Sequence, residues 1–132
     1  MRALSVPQVN INNENIRIVP NSLEYDGGEG EVNVRAASSG GNSTVTVHTV
    51  NAETKMSKVK IDVFLTTDID RQIAIWKERV GANAITFAER FANGEAVTRG
   101  FSRMSLTNNV DRSASADGVV SLEFMGDPMT QQ

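Results

Sequence analysis

His48 is the only histidine among 132 residues, and the chain has no cysteine. Transition-metal centres gather several imidazole or thiolate ligands around one ion. One histidine and no thiol leave such a centre short of donors, and they also remove disulfides and thiol nucleophiles. A serine–histidine–acid triad would need serine on a strained G-x-S-x-G elbow, and no serine here occupies one. Alternation puts His48 on the polar side of a strand, as a solvated side chain.

Glu24, Asp26, Glu29 and Glu31 crowd a glycine-rich turn, which suggests calcium. Their order does not supply oxygen ligands at the alternating positions of an EF-hand loop, so a solvated acidic loop is the plainer reading. Gly27-Gly28-Glu29-Gly30 resembles a phosphate loop only in its glycines. No Gly-Lys-Ser/Thr follows, no helix starts there, and the acids would repel phosphate. Lys55, Lys58 and Lys60 mark the wet side of a strand, with no interleaved aromatics to stack bases. A nucleic-acid binder needs a cationic stripe, and the net charge here is −3. No acid, base and nucleophile converge, so the sequence offers nothing for catalysis, and no cofactor is expected.

The elements that would carry these residues are mostly strands. A single domain suits the length. Hydrophobic residues make up 39% of the chain and aromatics only 5%. Much of the apolar content is valine, which favours pleated sheet. Residues 8–18 alternate around Asn12-Asn13, with Val9, Ile11, Ile16 and Ile18 apolar, and predict a short hairpin. Residues 26–30 form a loop. Glu31–Ala36 sets Val32, Val34 and Ala36 against Glu31, Asn33 and Arg35, while Thr44–Val50 sets Val45 and Val47 against Thr44, Thr46 and His48. Joined by the flexible run Ser38, Ser39, Gly40, Gly41 and Asn42, they predict a long hairpin with one apolar face on a core and one wet face.

Lys58–Leu65 alternates as a further strand. The period then changes: Ile69, Ile73, Trp76 and Val80 recur at helical spacing and predict a core-facing helix over Asp68–Val80. Thr67 with Asp70 reads as its capping box and Gly81 as its left-handed stop. Trp76 reads as the anchor of that helix in the core. Ala84–Phe91, Ala96–Thr107 and Val119–Met125 return to strand, with Asn93-Gly94 as a turn. In the second of these, Phe101 shares parity with Arg99 and Arg103 while Met104 and Leu106 take the other, which predicts a bulge or two-faced burial. Residues 126–132 read as a surface tail. The opening MRALSVPQVN lacks an apolar run long enough for a signal sequence, and no later stretch is long enough to span a membrane. The chain is therefore expected to start soluble and inside the cell.

Three stretches, SVPQVNINNENIRIVPNS, VNVRAASSGGNSTVTVHTVNAETKMSKVKIDVFLTT and ADGVVSLEFMGDPM, resemble the tail tube proteins of contractile-tailed phages. The order of long hairpin, strand, lone helix and further strands resembles them too. The resemblance covers nearly the whole chain, although tube proteins have no catalytic signature to match. It implies a mainly β, antiparallel barrel or sandwich flanked by one helix, in one domain over residues 1–132. An N-terminal arm at about 1–20, a hairpin loop at about 37–43 and a C-terminal tail at about 126–132 complete it.

The resemblance further implies a homo-oligomer: six copies per ring, rings stacked into a tube, and strands of neighbouring subunits joined in an inner barrel. Sheath, baseplate or tube-initiator, tape-measure and terminator proteins are the implied partners, in a virion tail assembled in the bacterial cytoplasm. DNA would pass without specific binding. By alternation Glu31, Asn33, Arg35, Thr44, Thr46, His48, Ser121 and Glu123 are the expected lumen face, and Ser38–Asn42 the inter-ring loop. R-type bacteriocin and type VI-like tubes share the resemblance. A β-sandwich binding module of a tail or baseplate is the competing class, but one Trp and one Tyr make a poor sugar platform.

Overall fold

The computed structural model describes residues 2–4, 8–38, 44–51, 55–110 and 118–131. After β1 (Arg2–Leu4), the alternation around Asn12-Asn13 folds as the hairpin β2 (Gln8–Ile11) and β3 (Glu14–Arg17). Both turn residues take positive φ, 52° and 69°, the left-handed pair that a tight two-residue hairpin demands. Val9, Ile11, Ile16 and Ile18 are all buried. Then come β4 (Leu23–Asp26), β5 (Glu31–Ser38), β6 (Thr44–Asn51), β7 (Ser57–Phe64), the helix α1 (Thr67–Glu78), β8 (Asn83–Arg90), β9 (Ala96–Leu106), β10 (Val119–Gly126) and β11 (Thr130–Gln131).

The main sheet runs β1-β4-β7-β10-β9-β8-β2-β3, all antiparallel, with β11 added to β9. It returns on itself: Ile18, just past β3, bridges Val63 of β7, and Val19 N–H donates to Asp62 O at 2.8 Å. That contact closes β7-β10-β9-β8-β2-β3 into a barrel, which β4 and β1 extend from the lower half of β7. Inside, Val59, Ile61, Val63, Leu122 and Phe124 are fully buried, with Phe87 and Phe101 stacked at 5.7 Å.

The predicted bulge lies at Arg103 (φ 53°), where the β8–β9 register shifts between Asn83–Met104 and Ile85–Phe101. Arg99 and Phe101 point inward before it, Met104 and Leu106 after it. The extra residue turns β9 from its partner β8 toward β10, a corner of the barrel. Beyond it Asn108 stands in for a strand. Its side-chain amide donates to Ser121 O at 2.9 Å and accepts from Glu123 N–H at 3.0 Å, sealing the edge of β10.

The helix is shorter than its periodicity predicts, and starts one residue earlier. Thr66, not Thr67, is the N-cap, its Oγ1 accepting from Ile69 N–H at 3.2 Å. Asp68 and Asp70 fall in the first turn, favourable to the dipole. Ile73 and Trp76 are buried, Ile69 is half-buried, but Val80 is 78% exposed. The cause is Asn83, whose amide nitrogen donates to Trp76 O and Arg79 O (both 3.0 Å) and to Met104 O (3.1 Å). It gathers the last carbonyls onto β8 and β9, so the chain leaves the helix at Arg79 before Val80 completes the apolar face. Trp76 packs edge-on against Phe124 at 6.1 Å.

Two terminal expectations change. Residues 8–18, expected within an N-terminal arm, are staves of the barrel. The segment expected as a surface tail is tied down: Ser57 Oγ donates to Asp127 O, Met129 N–H donates to Gly27 O, and β11 pairs Thr130 with Gly100 and Gln131 with Arg99. Gly100 makes room, since a Cβ there would lie 2.9 Å from Thr130 Oγ1.

Candidate assembly surface

β5 and β6 form a separate two-stranded ribbon in full register from Glu31–Asn51 to Ser38–Thr44. The expected apolar face of this hairpin does not lie on the core. Val32, Val34, Val45 and Val50 are 47–58% exposed, and no other described element packs substantially against the ribbon. Nor is there one apolar face. Directly opposite residues share a side, and Val34 faces His48 while Arg35 faces Val47. One face therefore carries Val32, Val34, Ala36, Thr46, His48 and Val50, the other Glu31, Asn33, Arg35, Val45 and Val47.

This register divides the expected lumen set. Glu31, Asn33 and Arg35 lie on one side of the ribbon, and the β6 positions of Thr44, Thr46 and His48 on the other. Ser121 and Glu123 belong elsewhere, on the outer face of the barrel. There β10 and β4 flank β7: Lys60 lies between Glu24 and Glu123, and Lys58 beside Asp26. Ser121 Oγ donates to Asp62 Oδ1 at 2.6 Å. The face holds four acids (Glu24, Asp26, Asp62, Glu123) and two lysines (Lys58, Lys60), a difference of two negative charges. Of the expected inter-ring loop, Ser38 pairs with Thr44 at the ribbon's end, and Ser39, Gly40, Gly41 and Asn42 lie outside the described residues.

A buried polar network was missed. Glu89, on β8, points into the barrel, where its Oε2 accepts from Tyr25 Oη at 2.5 Å and Arg99 Nε at 2.9 Å. The Arg99 guanidinium also lies 5.6 Å from the centre of the Phe91 ring. The signal was present, since Glu89 has the inward parity of Ile85 and Phe87, and Arg99 that of Phe101. With Glu89 and Arg99 both buried, the network joins β4, β8 and β9 and is closed to any substrate. Among the described residues no three His, Asp or Glu side chains are placed to hold a metal ion. Among the described residues no helix is long and apolar enough to cross a membrane.

An open groove of about 690 Å³ lies between β3 and α1. Ile16, Phe64, Ile69 and Ile75 supply its apolar lining, and Phe64 and Ile75 are 43% and 46% exposed.

No known family description and no curated protein matches the chain. Solved structures do. A chain of the PVC sheath–tube complex, an extracellular contractile injection system in its extended state, superposes with a TM-score of 0.60 at 16% identity, covering 100% of this chain and 91% of that one. A chain of the PVC sheath/tube terminator gives 0.58 at 15% identity, covering 95% and 91%. A chain of the anti-feeding prophage tube-terminating cap gives 0.57 at 12%, covering 100% and 92%. The fold is thus the antiparallel, mainly β, one-helix architecture found in tube-associated chains of contractile injection systems.

Proposed function

We propose that this protein is a non-catalytic structural subunit of a phage tail tube, six copies closing into a ring and rings stacking into a hollow tube. The observation that carries this reading is the β5–β6 ribbon: a long element with exposed valines, paired with no other described strand, attached to a fold shared with chains of tube assemblies. Open edges recruit other chains, and a head-to-tail contact repeated at a fixed rotation closes into a ring. Sheath, initiator, tape-measure and terminator proteins are the partners proposed, and the virion tail is the proposed location.

The outer face of β4-β7-β10, with Ser121 and Glu123, is the proposed channel wall, joined by Glu31, Asn33 and Arg35 of the ribbon. A wall that leans acidic lets DNA slide past, because each phosphate neutralised by a cation adds salt-sensitive affinity. A second reading, the tube of a bacteriocin or type VI-like secretion device rather than of a phage, is favoured by the PVC matches, which come from an extracellular contractile injection system. Negative-stain microscopy of the purified protein tests the common core of both: stacked rings or hollow tubes are expected, and monodisperse monomer at high concentration with initiator present overturns it. Glu31→Lys with Glu123→Lys separates the two. Intact virions with slowed or trapped genome ejection fit the DNA channel, and unchanged ejection kinetics count against it.

A further inference from the structure

The geometry points to a specific contact between copies: the Val32–Val34–Val50 face of one subunit's ribbon seats in the groove between β3 and α1 of the next. This deepens the tube reading and rests on it.

Three observations converge. First, the ribbon leaves three valines about half exposed on one face, and a two-stranded ribbon alone in water is marginal. Second, the groove presents Phe64 and Ile75 over an apolar floor, while Glu14, Arg17, Asp68 and Arg71 stand along it and make no ion pair among the described residues. An apolar centre inside a charged rim is the anatomy of a protein interface. Third, the two ribbon faces differ in charge. The face carrying Val32, Val34 and Val50 brings His48 but neither carboxylate nor guanidinium to the floor, whereas the opposite face would set the charged side chains of Glu31 and Arg35 over Phe64 and Ile75.

Size selects a second copy of this chain in a closed ring over an isolated dimer. Eight paired residues span about 27 Å. A strip of that length and two strands' width falls short of the roughly 1,600 Å² of a standard stable interface. Ribbon and groove are different surfaces, so every copy gives one contact and receives one, and ring closure doubles what each subunit buries. Seated this way, the ribbon keeps Glu31, Asn33 and Arg35 on its wet side.

The absence of native cysteine allows a direct test. A chain carrying both Val34→Cys and Ile75→Cys is allowed to assemble, oxidised, and run on a non-reducing gel beside each single variant and beside Val47→Cys/Ile75→Cys. The expected result is a ladder of multimers from Val34→Cys/Ile75→Cys that is lost in the single variants and in the Val47 control. An equal ladder from the Val47 control overturns the chosen face. A crosslinked monomer shows the ribbon folding onto its own groove and overturns the contact between copies. Rings or tubes in micrographs without a ladder overturn this contact and leave the tube reading standing. A ladder without rings or tubes upholds the contact while the tube reading fails, and absence of both overturns the two together.

Discussion

Val34 stands directly opposite His48 across the β5–β6 ribbon, and this one pairing decides how both faces are composed. Val32 and Val34 of β5 fall on one side and Val45 and Val47 of β6 on the other, while Val50 breaks the alternation of β6 and joins Val32 and Val34. A shift of one residue would have gathered Val32, Val34, Val45 and Val47 on one face. As built, neither face is apolar enough to become the wall of a core, and the ribbon stays outside the barrel with valines in water.

Removing one partner of the Glu89–Arg99 pair will weaken the fold sharply. Both are buried and share Glu89 Oε2 with Tyr25. Arg99→Ala should cost about 3–5 kcal/mol in denaturant unfolding, because a buried carboxylate loses its counter-charge. Tyr25→Phe should cost about 1.5–3 kcal/mol, the range for a hydrogen bond to a charged group. An Arg99→Ala protein as stable as the parent would refute the structural role.

Trp76 and Val80 have the same place in the helical pattern and opposite fates in the fold. Trp76→Ala should lose about 3–5 kcal/mol as a large buried ring leaves a cavity. Val80→Ala should stay within about 0.5 kcal/mol, as exposed substitutions do. Equal losses in thermal unfolding would contradict the placement of Val80.

The N-cap can be located in the same way. Thr66→Ala should cost about 1 kcal/mol through the lost bond to Ile69 N–H, and Thr67→Ala clearly less. The reverse order in helix content and melting temperature would restore the cap to Thr67.

Two glycines separate crowding from conformational strain. A Cβ on Gly126 would meet Arg103 O at 2.5 Å and Met104 Sδ at 2.6 Å, so Gly126→Ala should cost toward 3 kcal/mol as the bulge is forced apart. Gly81 has φ 67° and nothing within 4 Å, so Gly81→Ala should cost about 1–2 kcal/mol, from the left-handed conformation alone. Similar midpoints for both variants would mean that the bulge yields easily.

Local patterns carried most of the fold. The Asn12-Asn13 turn, the inward valines of β7 and the parity change in β9 each depend on neighbouring residues, and each was legible in the sequence. What escaped depends on partners far apart in the chain. The end of α1 is set by Asn83 reaching across to Met104 O, the anchoring of the C-terminus by Gly27, Ser57 and Gly100, and the ribbon's faces by register between strands. The charges of the Glu89–Arg99 pair were readable as inward by parity, but alternation alone cannot say that two such residues meet. The β5–β6 hairpin itself was legible, but alternation assigned it the wrong neighbour, its own core.

Asn108, whose amide occupies the edge of β10, bears on what the sheet can accept. An open strand edge offers unpaired N–H and C=O groups to any passing chain, so every edge left uncovered is a place for unintended pairing. Two atoms of one side chain, bonded to Ser121 O and Glu123 N–H, occupy backbone groups that would otherwise be offered there. With β10 occupied in this way, no further strand can add beside Ser121 and Glu123, and the sheet is ended there by a single side chain.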